Sequence, residues 1–177
     1  MHTRLFYPKN NTKPQIVAMS LTTTNSIDPA LKTKITDFLA AWKTGSLATL
    51  TPDGSPQSCN IMYVHDDDLN LYWISGTQSA HSVAIESDPR SAITIYAHVN
   101  SALKNHGLQI RGTSRLITDA DEYKTVLNLY AKKMAQPLAR PIIKQLMKTQ
   151  PFYAFTPTWI RFCDSRVKFG FKEEHTF

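Results

Sequence analysis

The chain has 177 residues, 42% of them hydrophobic and 10% aromatic, which is enough to bury one sizeable core. Six His and two Cys are scattered without a Cys-x-x-Cys or Cys/His cluster, which argues against a metal site and leaves Cys59 and Cys163 as free thiols. The formal charge of +6 draws acidic ligands, but Lys132, Lys133, Arg140, Lys144 and Lys148 fall on one helix-like stretch with few aromatics between them, the pattern of a solvated face rather than a nucleic-acid surface.

Residues 1–27 carry Pro8 and Pro14, show no period and read as a loose arm, with Met19 as an alternative start; residues 28–177 form one domain. Asp28 as N-cap and Pro29 at the first helical position open a helix whose apolar residues Leu31, Ile35, Phe38, Leu39 and Trp42 recur at helical spacing. Trp42 is read as core, and Gly45 as the helix stop. The period then changes to two. Ser46 to Thr51 and Gln57 to Val64 make a hairpin around Pro52-Asp53-Gly54-Ser55-Pro56, and the Asp66-Asp67-Asp68 turn leads into a strand from Leu69 to Ser75.

A short helical pattern begins at Ser82, and Asp88-Pro89 breaks it. Ser91 to Val99 alternates, with Ile93, Ile95, Ala97 and Val99 on one face, and Leu108 to Ile117 follows as a fifth strand. Thr118-x-x-Asp121 has the form of a capping box before a second long amphipathic helix, and Pro137 and Pro141 punctuate a further helical piece through Lys148. Phe152 to Phe162 returns to strand chemistry, with Arg166 to Phe171 as a candidate last strand. Hairpin-linked strands without a βαβ rhythm predict a mainly β fold with peripheral helices, a closed or partly closed antiparallel barrel.

The most informative segment is Leu71-Tyr72-Trp73-Ile74-Ser75-Gly76-Thr77-Gln78-Ser79-Ala80-His81-Ser82. A strand gives way to hydroxyls and free backbone N–H groups at a helix start, where an anion such as a phosphate is favoured. The same residues also serve an ordinary turn in which Ser and Thr cap the helix, and His81 suits either role. Tyr72 and Trp73 suit a barrel wall.

Taken in order, the leading helix, Ser46-Leu47-Ala48-Thr49-Leu50, the Asp-Gly hairpin, Leu71-Tyr72-Trp73, Ser79-x-His81, Asp88-Pro89 and Leu108-Gln109-Ile110-Arg111-Gly112 resemble the pyridoxamine 5′-phosphate oxidase-like split barrels. Trp159-Ile160-Arg161-Phe162 with Phe169-Gly170-Phe171-Lys172 is similar to a poorly characterised bacterial branch of them. The resemblance implies a six-stranded antiparallel split barrel and a homodimer with one flavin mononucleotide (FMN) in each of two interface grooves. It implies that Thr77, Ser79, His81 and Ser82 surround the phosphate, that the ring lies by Asn60, Ile61 and Met62, and that Gln109 and Arg111 close the groove. Trp159 and Lys172 would reach the flavin from the partner subunit.

Three departures stand out: Ala80 occupies the place of a phosphate-binding Arg, His81 stands near the usual Lys, and Asn60 takes the place of an Arg at the start of the second strand. Losing an Arg fork weakens phosphate binding unless Arg111 or the helix dipole compensates. Arg111 can equally be a plain surface residue, and Trp159 an interface anchor without a flavin.

The sequence has no nucleophile-elbow Ser, no dinucleotide Gly fingerprint and no paired carboxylates in a shared motif. The leading expectation is an FMN-binding oxidoreductase of unknown substrate. Pyridoxamine phosphate oxidation itself is disfavoured because Arg161-Phe162-Cys163 lacks the His of that enzyme's Arg-x-His. The alternative is a non-catalytic protein that stores or senses haem, a flavin or another planar ligand, and a third is a dimer that has lost its ligand. No apolar run reaches the roughly 18 residues of a membrane span and no secretory leader is visible, so a cytoplasmic protein without membrane partners is expected.

Overall fold

The computed structural model describes residues 26–134, 145 and 150–177. The expected arm up to residue 25 and most of the helical piece expected through Lys148 lie outside them. Helix α1 spans Pro29–Ala41, and Asp28 caps it by accepting a 2.9 Å bond from the Leu31 N–H. Its buried face is Leu31, Ile35, Phe38 and Leu39, the i, i+4, i+7, i+8 stripe of a helix laid on a core.

Among the described residues eight strands form one antiparallel sheet: β1 Thr44–Leu50, β2 Pro56–Met62, β3 Val64–His65, β4 Leu71–Ile74, β5 Arg90–Tyr96, β6 His106–Leu116, β7 Phe152–Asp164 and β8 Lys172–Thr176. The order is β2-β1-β5-β6-β7-β4-β3, and β8 pairs with β7. The two ends of that order, β2 and β3, are consecutive pieces of one segment parted only at Tyr63. The sheet therefore curls round on itself. Six strands were expected; β3 splitting from β2, together with the added β8, accounts for the larger number.

Side chains alternate as the pleat requires. The inward set, including Leu47, Ile93, Ile95, Leu108, Ile110, Phe155 and Ile160, forms the main core with α1. Trp73 is 1% exposed within it, stacked on Tyr153. Tyr72 points the other way, into a second cluster where Val126 and Tyr130 of α3 (Ala120–Met134) cover Val64, Phe152 and Ala154.

Local readings need four corrections. Gly45 is not a helix stop: α1 ends at Ala41, and Gly45 lies buried in β1, where a Cβ would sit 2.9 Å from Ile95 Cγ1. α3 is capped by Asp119 rather than Thr118, because Asp119 Oδ1 accepts from the N–H groups of Asp121 and Glu122. The last strand is Lys172–Thr176, and residues 166–171 belong to the turn before it. Trp42 is only half-buried, packed on the core beside Phe38 and His98.

Candidate functional site

One outward face of the sheet collects most of the singled-out side chains. Register aligns Asn60, Ser46, Thr94, Gln109, Arg161 and Glu174 in one row across β2, β1, β5, β6, β7 and β8. Hydrogen bonds tie its ends: Ser46 Oγ donates to Asn60 Oδ1, Arg161 Nη1 to Gln109 Oε1, and Arg161 Nε to Glu174 Oε1. The next row reads Ser58, Ala48, Ala92, Arg111, Trp159 and Thr176. Small residues thus floor the middle of the face, and Met62 and Tyr96, 57% and 54% exposed, stand towards one end.

Arg111 and Trp159 meet through an irregularity. The β6–β7 register shifts between Arg111 and Gly112, leaving Thr158 unpaired, and Thr158 Oγ1 donates to the Arg111 carbonyl. Bulges of this kind re-aim side chains beside functional sites. The guanidinium carbon of Arg111 lies 4.3 Å from the Trp159 ring centre, and that of Arg161 lies 4.8 Å away. Arg161 is paired with Glu174, whereas no carboxylate pairs with Arg111 among the described residues. β2 pairs with β1 alone among the described strands, so its other edge offers unpaired N–H and C=O groups.

The strand-to-helix turn packs beside the start of β2. α2 spans Ala80–Ser87, and the Ala80 carbonyl accepts from Gln57 Nε2 of β2, the residue before Ser58. The hydroxyls are turned towards one another. Ser79 accepts from the Ser82 N–H as N-cap and donates to Ser82 Oγ, while His81 Nε2 lies 2.8 Å from Ser75 Oγ and 3.2 Å from Ser79 Oγ. Burial holds His81 below its ordinary pKa, which favours the neutral ring. Ser79 and His81 therefore serve the cap, and the turn carries no permanent cation.

A cleft of about 500 Å³ opens beside the turn, lined by Thr77, Gln78, Ser82, Arg115 and Tyr153 among others. Arg115 is a functional candidate missed from the sequence. It stands on the outward side of β6, four residues past Arg111, and the period of two would have found it. Glu122 holds it with two bonds of 2.9 and 2.6 Å.

The structure thus gathers Asn60, Gln109, Arg111 and Trp159 on one face of the chain. Trp159 was expected to act from the partner subunit; here it packs on the same chain's Arg111. Lys172 opens β8 opposite Cys163, one row beyond Arg161. Ile61 does not present its side chain: at 6% exposure it points into the core, and its backbone pairs with Gly45 of β1. Thr77, Ser79, His81 and Ser82 form the neighbouring turn.

The model of the family "pyridoxamine 5′-phosphate oxidase" matches residues 31–164. Similar solved structures include a conserved hypothetical protein of Mycobacterium tuberculosis, with TM-score 0.65 and 19% identity over 84% of this chain and 91% of that one. A heme-binding protein of Mycobacterium smegmatis gives 0.68 and 18% over 85% and 60%. ChuZ of Campylobacter jejuni gives 0.70 and 15% over 85% and 61%. These likenesses concern the fold. No curated protein matches the sequence.

Proposed function

The chain belongs to the pyridoxamine 5′-phosphate oxidase family, and from that premise we propose that it is an FMN-binding protein that works as a homodimer, with an oxidoreductase activity on a substrate not yet known. The observation that carries the reading is the floor of Ser46, Ala48, Ala92 and Thr94, bordered by the open edge of β2 on one side and by Gln109, Arg111 and Trp159 on the other. Small side chains leave room for a planar ring, an unpaired strand edge can hydrogen-bond its heteroatoms, and Arg111 answers a negative charge.

The residues fit the group unevenly. Asn60, Met62 and Gln109 would border the ring. Thr77 would face the phosphate with its hydroxyl, while Ser79 and Ser82, bonded to each other in the cap, would shape the turn around it. Arg111 would supply the charge that Ala80 does not. Bound flavin would carry hydride or electrons between a reduced nicotinamide and a small acceptor. The protein's own part is to bind, orient and shield it. Exposed Met62 and Tyr96 at the margin support a second protomer covering the face.

A second reading is favoured by one observation. The turn lacks a permanent cation, while two guanidiniums stand together on Trp159. With Arg161 held by Glu174, the guanidinium of Arg111 on Trp159 suits a planar ligand that carries a carboxylate, such as haem, and proteins of similar fold include heme-binding ones. The absorption spectrum of protein purified without added cofactor separates the readings. Flavin bands support the first and a Soret band the second. A protein that is colourless, and remains without ligand when FMN or haem is added, contradicts both.

A further inference from the structure

We propose that a second site, away from the ligand face, takes a small divalent oxyanion such as sulfate or inorganic phosphate in the cavity where α1, β3 and α3 meet. The cavity measures about 230 Å³, below the usual size of a pocket for a drug-sized molecule. Leu39, Tyr63 and Val64 supply apolar wall, and its polar groups are Lys43, Lys133 and His65.

Two ammonium groups converge there on neutral acceptors only. Lys43 Nζ donates to the Lys133 carbonyl at 3.1 Å. Lys133 Nζ donates to the His65 carbonyl at 2.5 Å and lies 3.3 Å from His65 Nε2. A lysine at a helix C-terminus ordinarily satisfies end carbonyls, and that accounts for part of the arrangement. Each ammonium has three donors, however, and no carboxylate bridges either one among the described residues. Of the two carboxylates in the neighbouring turn, Asp66 is committed to that turn: it accepts from the Asp68 and Asn70 N–H groups, from Asn70 Nδ2 and from the Tyr72 hydroxyl. Asp67 is exposed in that turn.

His65 adds a third group. It is 3% exposed, and its Nδ1 faces the Asp66 carbonyl, which leaves Nε2 directed at Lys133. Burial, with Lys133, holds it below its ordinary pKa, opposed by the Asp66 carbonyl and the Asp66 and Asp67 carboxylates; burial likewise lowers Lys133, helped by Lys132 and Lys43 and opposed more strongly by Asp67 and Asp66. An oxyanion between the lysines would cancel their repulsion and favour a protonated His65 as a further donor. Binding should therefore tighten as pH falls.

The test uses sodium sulfate, which does not titrate near neutrality, against sodium chloride at equal ionic strength. Calorimetry should give saturable sulfate binding to the wild-type protein and to Arg111→Ala, at least threefold tighter at pH 6.0 than at pH 7.5, with a sulfate-specific rise in Tm. Lys43→Gln, which leaves the Lys133–His65 contact in place, should weaken binding at least tenfold, and Lys43→Met with Lys133→Met should abolish it. Equal effects of chloride and sulfate, or undiminished binding in Lys43→Gln, would overturn the site. Because Arg111→Ala is the control, failure here leaves the FMN reading untouched.

Discussion

Arg111 is the residue on which the proposed ligand face depends. Its guanidinium packs on Trp159 and has no carboxylate partner among the described residues, so its charge is available to a ligand in a way that of Arg161, bound to Glu174, is not. A charge-assisted hydrogen bond is worth roughly 1.5–3 kcal/mol, so Arg111→Ala should weaken FMN binding by about tenfold or more. Unchanged affinity in a fluorescence titration would remove Arg111 from the site. His65 and His81 yield a prediction about pH, since both have folded-state values below the ordinary value of about 6.5. The fold prefers the neutral rings, so their contribution is present above that value and is lost as pH falls below it. Denaturant unfolding should show stability declining from pH 7.5 to 5.5, with a shallower decline in His65→Gln. An unaltered slope in that variant would contradict the assignment. The sequence singles out Ser79, His81 and Asn60; the structure sets the first two in the cap of α2 and the third on the outward row of β2. Alternation from exposed Asn60 predicts the inward turn of Ile61, whereas Arg115 lies past the motif that ends at Gly112 and no motif position marks it.

Among the elements, β6 and β7 carry the most specific geometry. Gly112 lies where a Cβ would meet the Thr156 carbonyl oxygen at 2.1 Å, and that obstacle is backbone, which cannot rotate away. Gly112→Ala should therefore cost about 1–3 kcal/mol or more and disturb the neighbouring bulge. Urea unfolding measures the cost, and a neutral substitution would mean that the strands do not approach as described. The contrast is Gly54, at φ +83° in the β1–β2 turn, where conformation rather than space requires glycine. Strands and helices were largely readable because their periods differ and because Asp28-Pro29 and Asp88-Pro89 punctuate them. Gly45 misled because a glycine after a helix looks like a stop, and only packing against Ile93 and Ile95 of a distant strand reveals its role. Thr118 misled for the opposite reason: Asp119, one residue on, offers an equally good cap, and local sequence does not choose between them. The Arg111–Trp159 pairing depends on a register shift between strands about 45 residues apart, so no local pattern contains it.

For the whole molecule, the curled sheet joins its ends through the single segment holding β2 and β3, which leaves one edge of β2 free beside the small-residue floor. The same face exposes Met62 and Tyr96, which a monomer has little reason to show in company. Sedimentation equilibrium should therefore give a dimer, and Met62→Ser with Tyr96→Asp should shift it towards monomer; a monomeric wild type at micromolar concentration would contradict the proposed interface. The central claim, that the floor between the β2 edge and the Arg111–Trp159 pair holds an FMN ring, is tested most directly by titrating FMN with cofactor-free protein and following flavin fluorescence. The account predicts saturable quenching with one FMN per protomer, about tenfold or more weaker in Arg111→Ala. Fluorescence that does not change up to millimolar protein, or binding that Arg111→Ala leaves intact, would contradict it.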